Sequence, residues 1–116
     1  ARRDTGKKTT VGRDEMLVIT EKLLKDIQGA LFQKAKQFLD ENTRDANSWE
    51  EFKNIMSSTR GFIRAFLCEE TGCEVTIKEE TKASTRCLPL GTKEEKGTCI
   101  YCDKPATHRW IFAQAY

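Results

Sequence analysis

Cysteine placement constrains this chain more than any other feature. There are five, Cys68, Cys73, Cys87, Cys99 and Cys102, and all lie in the second half. Four of them form two close pairs, Cys68-x4-Cys73 and Cys99-x2-Cys102, with 25 residues between the pairs. An odd count fits a disulfide framework poorly, whereas two close pairs predict one tetrahedral zinc ion held by four thiolates. The competing reading is four buried or oxidised thiols. A thiolate, not a thiol, binds the metal, so such a site must lower four pKa values together. Four thiolates and one Zn²⁺ sum to −2, and Arg64, Lys96, Lys104 and Arg109 are the nearby cations that can offset part of it. A shell of four cysteines leaves no open position for water or substrate, so the metal is expected to be structural.

Local sequence supports the pairs. Thr71-Gly72-Cys73-Glu74 reads as a capping box with Thr71 as N-cap, which puts Cys73 in a first helical turn where free N–H groups favour a negative sulfur. Gly97-Thr98-Cys99-Ile100-Tyr101-Cys102-Asp103-Lys104-Pro105 reads as a zinc knuckle, with Asp103 taking the left-handed position after the last thiolate. The alternation around Arg86-Cys87-Leu88 suits Cys87 as a buried small thiol rather than a ligand. His108, the one histidine, falls six residues after Cys102 and reads as a strand-face residue, not a replacement ligand.

Composition gives such a metal a role. In 116 residues, 38% are apolar and 33% charged, with a mean hydropathy of −0.62. That predicts one domain with a lean core, which a structural zinc can reinforce. The net charge is +2, from 20 basic and 18 acidic side chains, which argues against a strongly basic nucleic-acid binder and against an acidic disordered tail. Residues 1–13 carry five basic side chains against Asp4; a solvated arm is favoured over an RNA-phosphate contact. No apolar run approaches the ~18 residues of a membrane span. The start, Ala1-Arg2-Arg3-Asp4, has neither an initiator Met nor a hydrophobic leader, and is expected to continue a longer polypeptide.

Periodicity predicts the elements. Asp4-Thr5-Gly6-Lys7-Lys8 reads as a turn with Gly6 at positive φ. Leu17, Leu24, Ile27, Leu31, Ala35 and Phe38, widened by Leu23 and Phe32, mark a long helix ending near Asn42. Gly29 inside it is expected to mark close packing or a kink. Ser48-Trp49-Glu50-Glu51 is a capping box opening a short helix with Trp49, Phe52, Ile55 and Met56 on one side. Residues 61–67 read as a strand, residues 71–82 as a helix, Ser84 to Leu90 as a strand stopped by Pro89, and Thr107 to Ala113 as the last strand, with His108, Trp110 and Phe112 on one face. The fold class is α+β: a long N-terminal helix, then a small mixed sheet with helices, stapled by the four-cysteine site.

Catalytic chemistry is not legible. No Ser/His/Asp arrangement and no Gly-rich phosphate loop occurs. Glu69-Glu70 and Glu79-Glu80 read as solvated charge rather than acid–base pairs. Trp110, Phe112 and Tyr116 beside Arg109 suggest base stacking, but at strand spacing near a chain end they fit a core better.

Several stretches in order resemble the C-terminal region of prolyl-tRNA synthetase of the archaeal and eukaryotic-like type. They are Ala1 to Lys7; Ile27-Gln28 with Leu31-Phe32 and Ala35; Glu41-Asn42-Thr43-Arg44 with Trp49-Glu50-Glu51-Phe52; Ile77 to Ala83 leading into Arg86-Cys87-Leu88-Pro89; and Cys99-x2-Cys102 with Lys104-Pro105-Ala106, ending in Phe112-Ala113-Gln114-Ala115-Tyr116. The resemblance implies zinc ligands at Cys68, Cys73, Cys99 and Cys102, the four that spacing selects. It departs from the family at Asp103, where Gly is usual. It implies a class II ligase that activates proline with ATP and Mg²⁺ and esterifies tRNA(Pro). The catalytic domain and most of the anticodon-binding domain would lie upstream, in a cytoplasmic, homodimeric parent with no membrane partner. It further implies that the carboxylate of Tyr116 reaches toward the parent's active site, and that this stretch is not catalytic alone. The domains expected are 1–13 as the end of the anticodon-binding domain and its turn, 14–60 as linking helices, and 61–116 as the zinc-binding α+β domain, the whole being one structural unit. The alternative is a free-standing zinc module that docks RNA or protein.

Overall fold

Where the apolar side chains find partners decides how this chain divides. A computed structural model describes residues 1–115; Tyr116, and with it the expectation placed on its carboxylate, lies outside the described residues. The chain separates into two compact units, residues 1–41 and 42–116. The first of these ends with the long helix. Residues 42–60, expected among the linking helices, contribute a strand and a helix to the second unit.

The first unit opens with the predicted turn. Gly6 at φ 71° donates its N–H to the Arg2 carbonyl at 2.8 Å, and the Arg2 guanidinium grips Asp4 at 3.0 and 2.7 Å. A short 3-10 turn, Arg13–Glu15, leads into α1 (Met16–Asn42). Its 27 residues span about 40 Å at 1.5 Å per residue. The helix ends where expected, but its apolar stripe meets solvent: Leu17, Leu24, Leu31 and Phe38 are 83%, 62%, 52% and 64% exposed. Of its apolar side chains only Ile19, Leu23 and Ile27 are half-buried. The expectation at Gly29 is not met, since the helix runs through it and a Cβ there would meet open space.

The second unit holds the core. In chain order it contains β1 (Thr43–Asp45), α2 (Trp49–Ser57), β2 (Phe62–Leu67), α3 (Thr71–Thr81), β3 (Ala83–Cys87), β4 (Gly97–Thr98), β5 (Pro105–Ala106) and β6 (His108–Gln114). The main sheet has the order β1-β2-β6-β3, with β1 parallel to β2 and the other pairs antiparallel. The mixed sheet with helices is thus the expected architecture. In the β2–β6 register Ile63 faces Phe112, Ala65 faces Trp110 and Leu67 faces His108. Strand alternation puts these six side chains on one face, as predicted for His108, Trp110 and Phe112. Ile63, Ala65, Leu67 and Phe112 pack with Phe52 and Met56 of α2 and Ile77 of α3 into one buried cluster. Phe52 meets Phe112 edge to face with centroids 5.2 Å apart.

Three local expectations are corrected. Strand β1 was not expected, because Thr43-Arg44-Asp45 has no apolar alternation; its pairing with β2 makes it a strand. Thr71 is not the N-cap of α3: Glu70 holds that position without a side-chain cap bond, and Thr71 is already helical. Strand β3 ends at Cys87 after an irregularity between Thr85 and Cys87, short of Pro89, and Cys87 is exposed rather than buried. The pairing slip ends the alternation on which its burial was argued.

Candidate metal centre

Two short backbone devices deliver the four sulfurs. The first follows β2. Cys68 lies one residue past the strand, and Glu69 at φ 62° turns the chain sharply into α3. Cys73 then falls in the first turn of α3, with its N–H on the Glu70 carbonyl at 3.0 Å. The capping residue differs from expectation; Cys73 lies in the first helical turn as predicted, but the ease of ionisation expected there is not found, because burial and the neighbouring sulfurs raise its thiol.

The second device is the hairpin of β4 and β5, in which Gly97 pairs with Ala106 and Thr98 with Pro105. Between these strands the Cys99 N–H donates to the Lys104 carbonyl at 2.8 Å, and the Asp103 N–H to the Cys99 carbonyl at 3.1 Å. Asp103 sits at φ 57°, the left-handed turn predicted for it. The hairpin is tied to the sheet by the Ile100 N–H on the Phe66 carbonyl at 2.8 Å. Gly97 is required there, since a Cβ would run into the Phe66 ring.

The four sulfurs of Cys68, Cys73, Cys99 and Cys102 all lie within 4.8 Å of one another. Cys68 Sγ is 3.5 Å from Cys73 Sγ and 3.6 Å from Cys102 Sγ. Zn–S bonds of about 2.3 Å imply tetrahedral edges near 3.8 Å, so the four sulfurs are spaced to hold one such ion. The chemistry of the donors agrees. Burial, then the neighbouring sulfurs of Cys102 and Cys68, push the Cys73 thiol up, and burial also raises that of Cys68. Burial raises Cys99 as well, but backbone N–H groups of Cys102, Tyr101 and Cys68 outweigh it and bring that thiol down to about 7. Backbone N–H groups thus favour the Cys99 thiolate, whereas burial opposes ionisation of Cys68 and Cys73, which a bound cation would offset.

Of the expected counter-charges, Lys104 is placed at the site. Its Nζ lies 2.7 and 2.9 Å from the two Glu70 carboxylate oxygens, and its pKa is raised by Glu70 and then by Cys102 and Cys68. Arg64 is instead bound to Asp45 at 2.6 and 2.8 Å. Arg109 lies over the Phe66 ring at 4.2 Å and donates to Asn47 Oδ1 at 2.9 Å. Lys96 is exposed. His108 stays outside the cluster, with Nδ1 3.1 Å from Thr107 Oγ1 and 3.4 Å from Glu69. Cys87 is outside it too. Phe112 is buried and cannot stack on a base.

Sequence reasoning missed the supports around the centre. Tyr101, between the two knuckle cysteines, meets Trp49 edge to face at 5.2 Å and extends its hydroxyl toward Glu80 at 3.4 Å. Glu69, read only as solvated charge, accepts from Trp110 Nε1 at 3.3 Å. The one signal available for any of these was Gly97, a residue without a side chain placed two before the first knuckle cysteine.

Comparison with known proteins places the centre in context. Residues 49–116 match the family model described as prolyl-tRNA synthetase, C-terminal. The chain is 45% identical over 115 residues to proline–tRNA ligase of Amoebophilus asiaticus, covering 99% of this chain and 23% of that protein. It is 42% identical over 116 residues to the ligase of Cytophaga hutchinsonii, covering 100% and 24%. For the ligase of Natranaerobius thermophilus the values are 41% over 117 residues, 99% and 24%. The chain spans about a quarter of the length of the curated relatives it matches.

Proposed function

We propose, from the premise that this chain belongs to the prolyl-tRNA synthetase C-terminal domain family, that it is the structural zinc domain of a ligase that charges tRNA(Pro) with proline. The observation that carries this reading is the four-sulfur cluster. Cys68 and Cys73 hold one side of a Zn²⁺ ion and Cys99 and Cys102 the other. When bound, the ion cross-links the β2–α3 turn to the β4–β5 hairpin and supplies folding energy. With four protein ligands it has no position left for substrate, so the chain's own contribution is architecture rather than a chemical step.

Activation of proline with ATP and Mg²⁺, and transfer to tRNA(Pro), belong in this reading to catalytic and anticodon-binding domains upstream, in a homodimeric cytoplasmic enzyme. The exposed stripe of α1 supports it. Leu17, Leu24, Leu31 and Phe38 recur every seven residues, the spacing of a helix seated against further polypeptide. No helix among the described residues is long and apolar enough to cross a membrane.

Proline-dependent ATP–pyrophosphate exchange tests the reading. The full-length ligase should catalyse it, and the 116-residue chain alone should not. Deleting Tyr116 from the full-length ligase should lower proline activation while zinc content stays at one per chain. Exchange by the isolated chain would refute the architectural role. Unchanged activation after the deletion would refute the role of Tyr116.

A further inference from the structure

The two halves of the cluster come from chain segments about 30 residues apart, and beside the sulfurs an ion pair joins them. Lys104 Nζ sits between both carboxylate oxygens of Glu70 at 2.7 and 2.9 Å. Each partner also organises a ligand through its backbone: the Glu70 carbonyl receives the N–H of Cys73 at 3.0 Å, and the Lys104 carbonyl receives that of Cys99 at 2.8 Å. The ion pair therefore joins the residue that sets Cys73 to the residue that sets Cys99.

We propose that Lys104 and Glu70 form an outer clasp of the metal centre, with Lys104 as a positioning residue that slows metal release. The proposal rests on the reading that the four thiolates hold zinc. Two physical effects act together. The pair opposes separation of the β2–α3 turn from the knuckle, the motion by which a four-thiolate shell opens. The ammonium also offsets part of the −2 charge of the loaded shell. Groups outside the ligand shell typically change metal affinity 10–100-fold. Lys104 and Glu70 side chains are 57% and 53% exposed, which places this pair below that range, at a few-fold.

The test is zinc transfer from the loaded chain to excess chromogenic chelator. At low ionic strength Lys104→Met should release zinc about threefold faster than the wild type. The difference should narrow in ~1 M salt, where the screening length falls to about 3 Å. Lys104→Arg, which keeps charge and reach, should restore slow release. Lys96→Met, which removes the same charge from the neighbouring segment, should leave the rate near that of the wild type. Glu70→Gln should also speed release, and combined with Lys104→Met the two effects should not add. The cobalt-loaded forms of all these variants should share the same thiolate and ligand-field absorption bands, showing that the shell itself is intact. Equal release from wild type and Lys104→Met overturns the clasp, and so does Lys96→Met releasing as fast as Lys104→Met. Loss of the cobalt bands in Lys104→Met overturns its role as an outer group. A wild-type chain that takes up no zinc overturns the metal reading itself, and the clasp with it.

Discussion

Asp103 stands at φ 57°, a conformation that costs most L residues roughly 1–2 kcal/mol but is tolerated by Asn, Asp and Gly. It closes the knuckle by donating its N–H to the Cys99 carbonyl at 3.1 Å. Asp103→Gly should therefore leave the stability of the zinc-loaded chain within about 0.5 kcal/mol, whereas Asp103→Val should lower it by about 1–2 kcal/mol in chemical denaturation. A valine variant as stable as the parent would show that the turn is not strained. The cysteines divide just as sharply. Serine at Cys68, Cys73, Cys99 or Cys102 should abolish tight zinc binding in native mass spectrometry, while Cys87→Ser should keep one ion. At this scale the chain was readable, because paired spacing is a property of the local chain. Cys87 was misread because its burial depends on how far β3 pairs, which no local pattern reveals.

Among the elements, α2 was the most legible. The Glu51 N–H donates to Ser48 Oγ at 3.2 Å, and the Glu51 carboxylate reaches back to the Asn47 N–H at 3.0 Å, so the box closes one residue earlier than a Ser48 N–H contact would. Strand β1 was invisible, and its tie to β2 sets a pH-dependent prediction. Hydrogen bonds from Arg64 hold the Asp45 carboxyl below its ordinary range. The stabilisation this brings is present above the unfolded Asp value of about 3.9 and disappears as pH falls through the lower folded value. Asp45→Asn should cost under about 1 kcal/mol at neutral pH, the pair being half exposed, and the gap from wild type should close in acid. A gap that widens in acid would contradict the assignment. Where β4 meets β2, Gly97→Ala should cost about 1–3 kcal/mol, since the Phe66 ring is held between Gly97 and Arg109. Thermal denaturation of the zinc-loaded chain measures it.

For the molecule as a whole, the two units should respond differently to metal loss. The core of the second unit is small, built on Phe52, Met56, Ile63, Ile77 and Phe112, and the cluster joins two of its loops. Chelation should raise amide exchange across residues 42–116 far more than across α1, which contributes no fully buried residue to any core. Exchange in the second unit that ignores the metal would mean that zinc is not its staple. Substituting Leu24 and Leu31 together with Glu should leave zinc binding by the chain unchanged, because the stripe is exposed and belongs to the first unit.

What the sequence determined by itself was the short-range chemistry: which four cysteines come together, the length of α1, the cap of α2, and a left-handed Asp103. These follow from spacings of two to seven residues, over which covalent geometry leaves few choices. Only the tertiary structure decided the boundary at 41/42, the strand state of Thr43–Asp45, the exposure of Cys87, and the meeting of Lys104 with Glu70. Each depends on a partner distant in the chain, and that partner's position is settled by how the sheet and the knuckle pack.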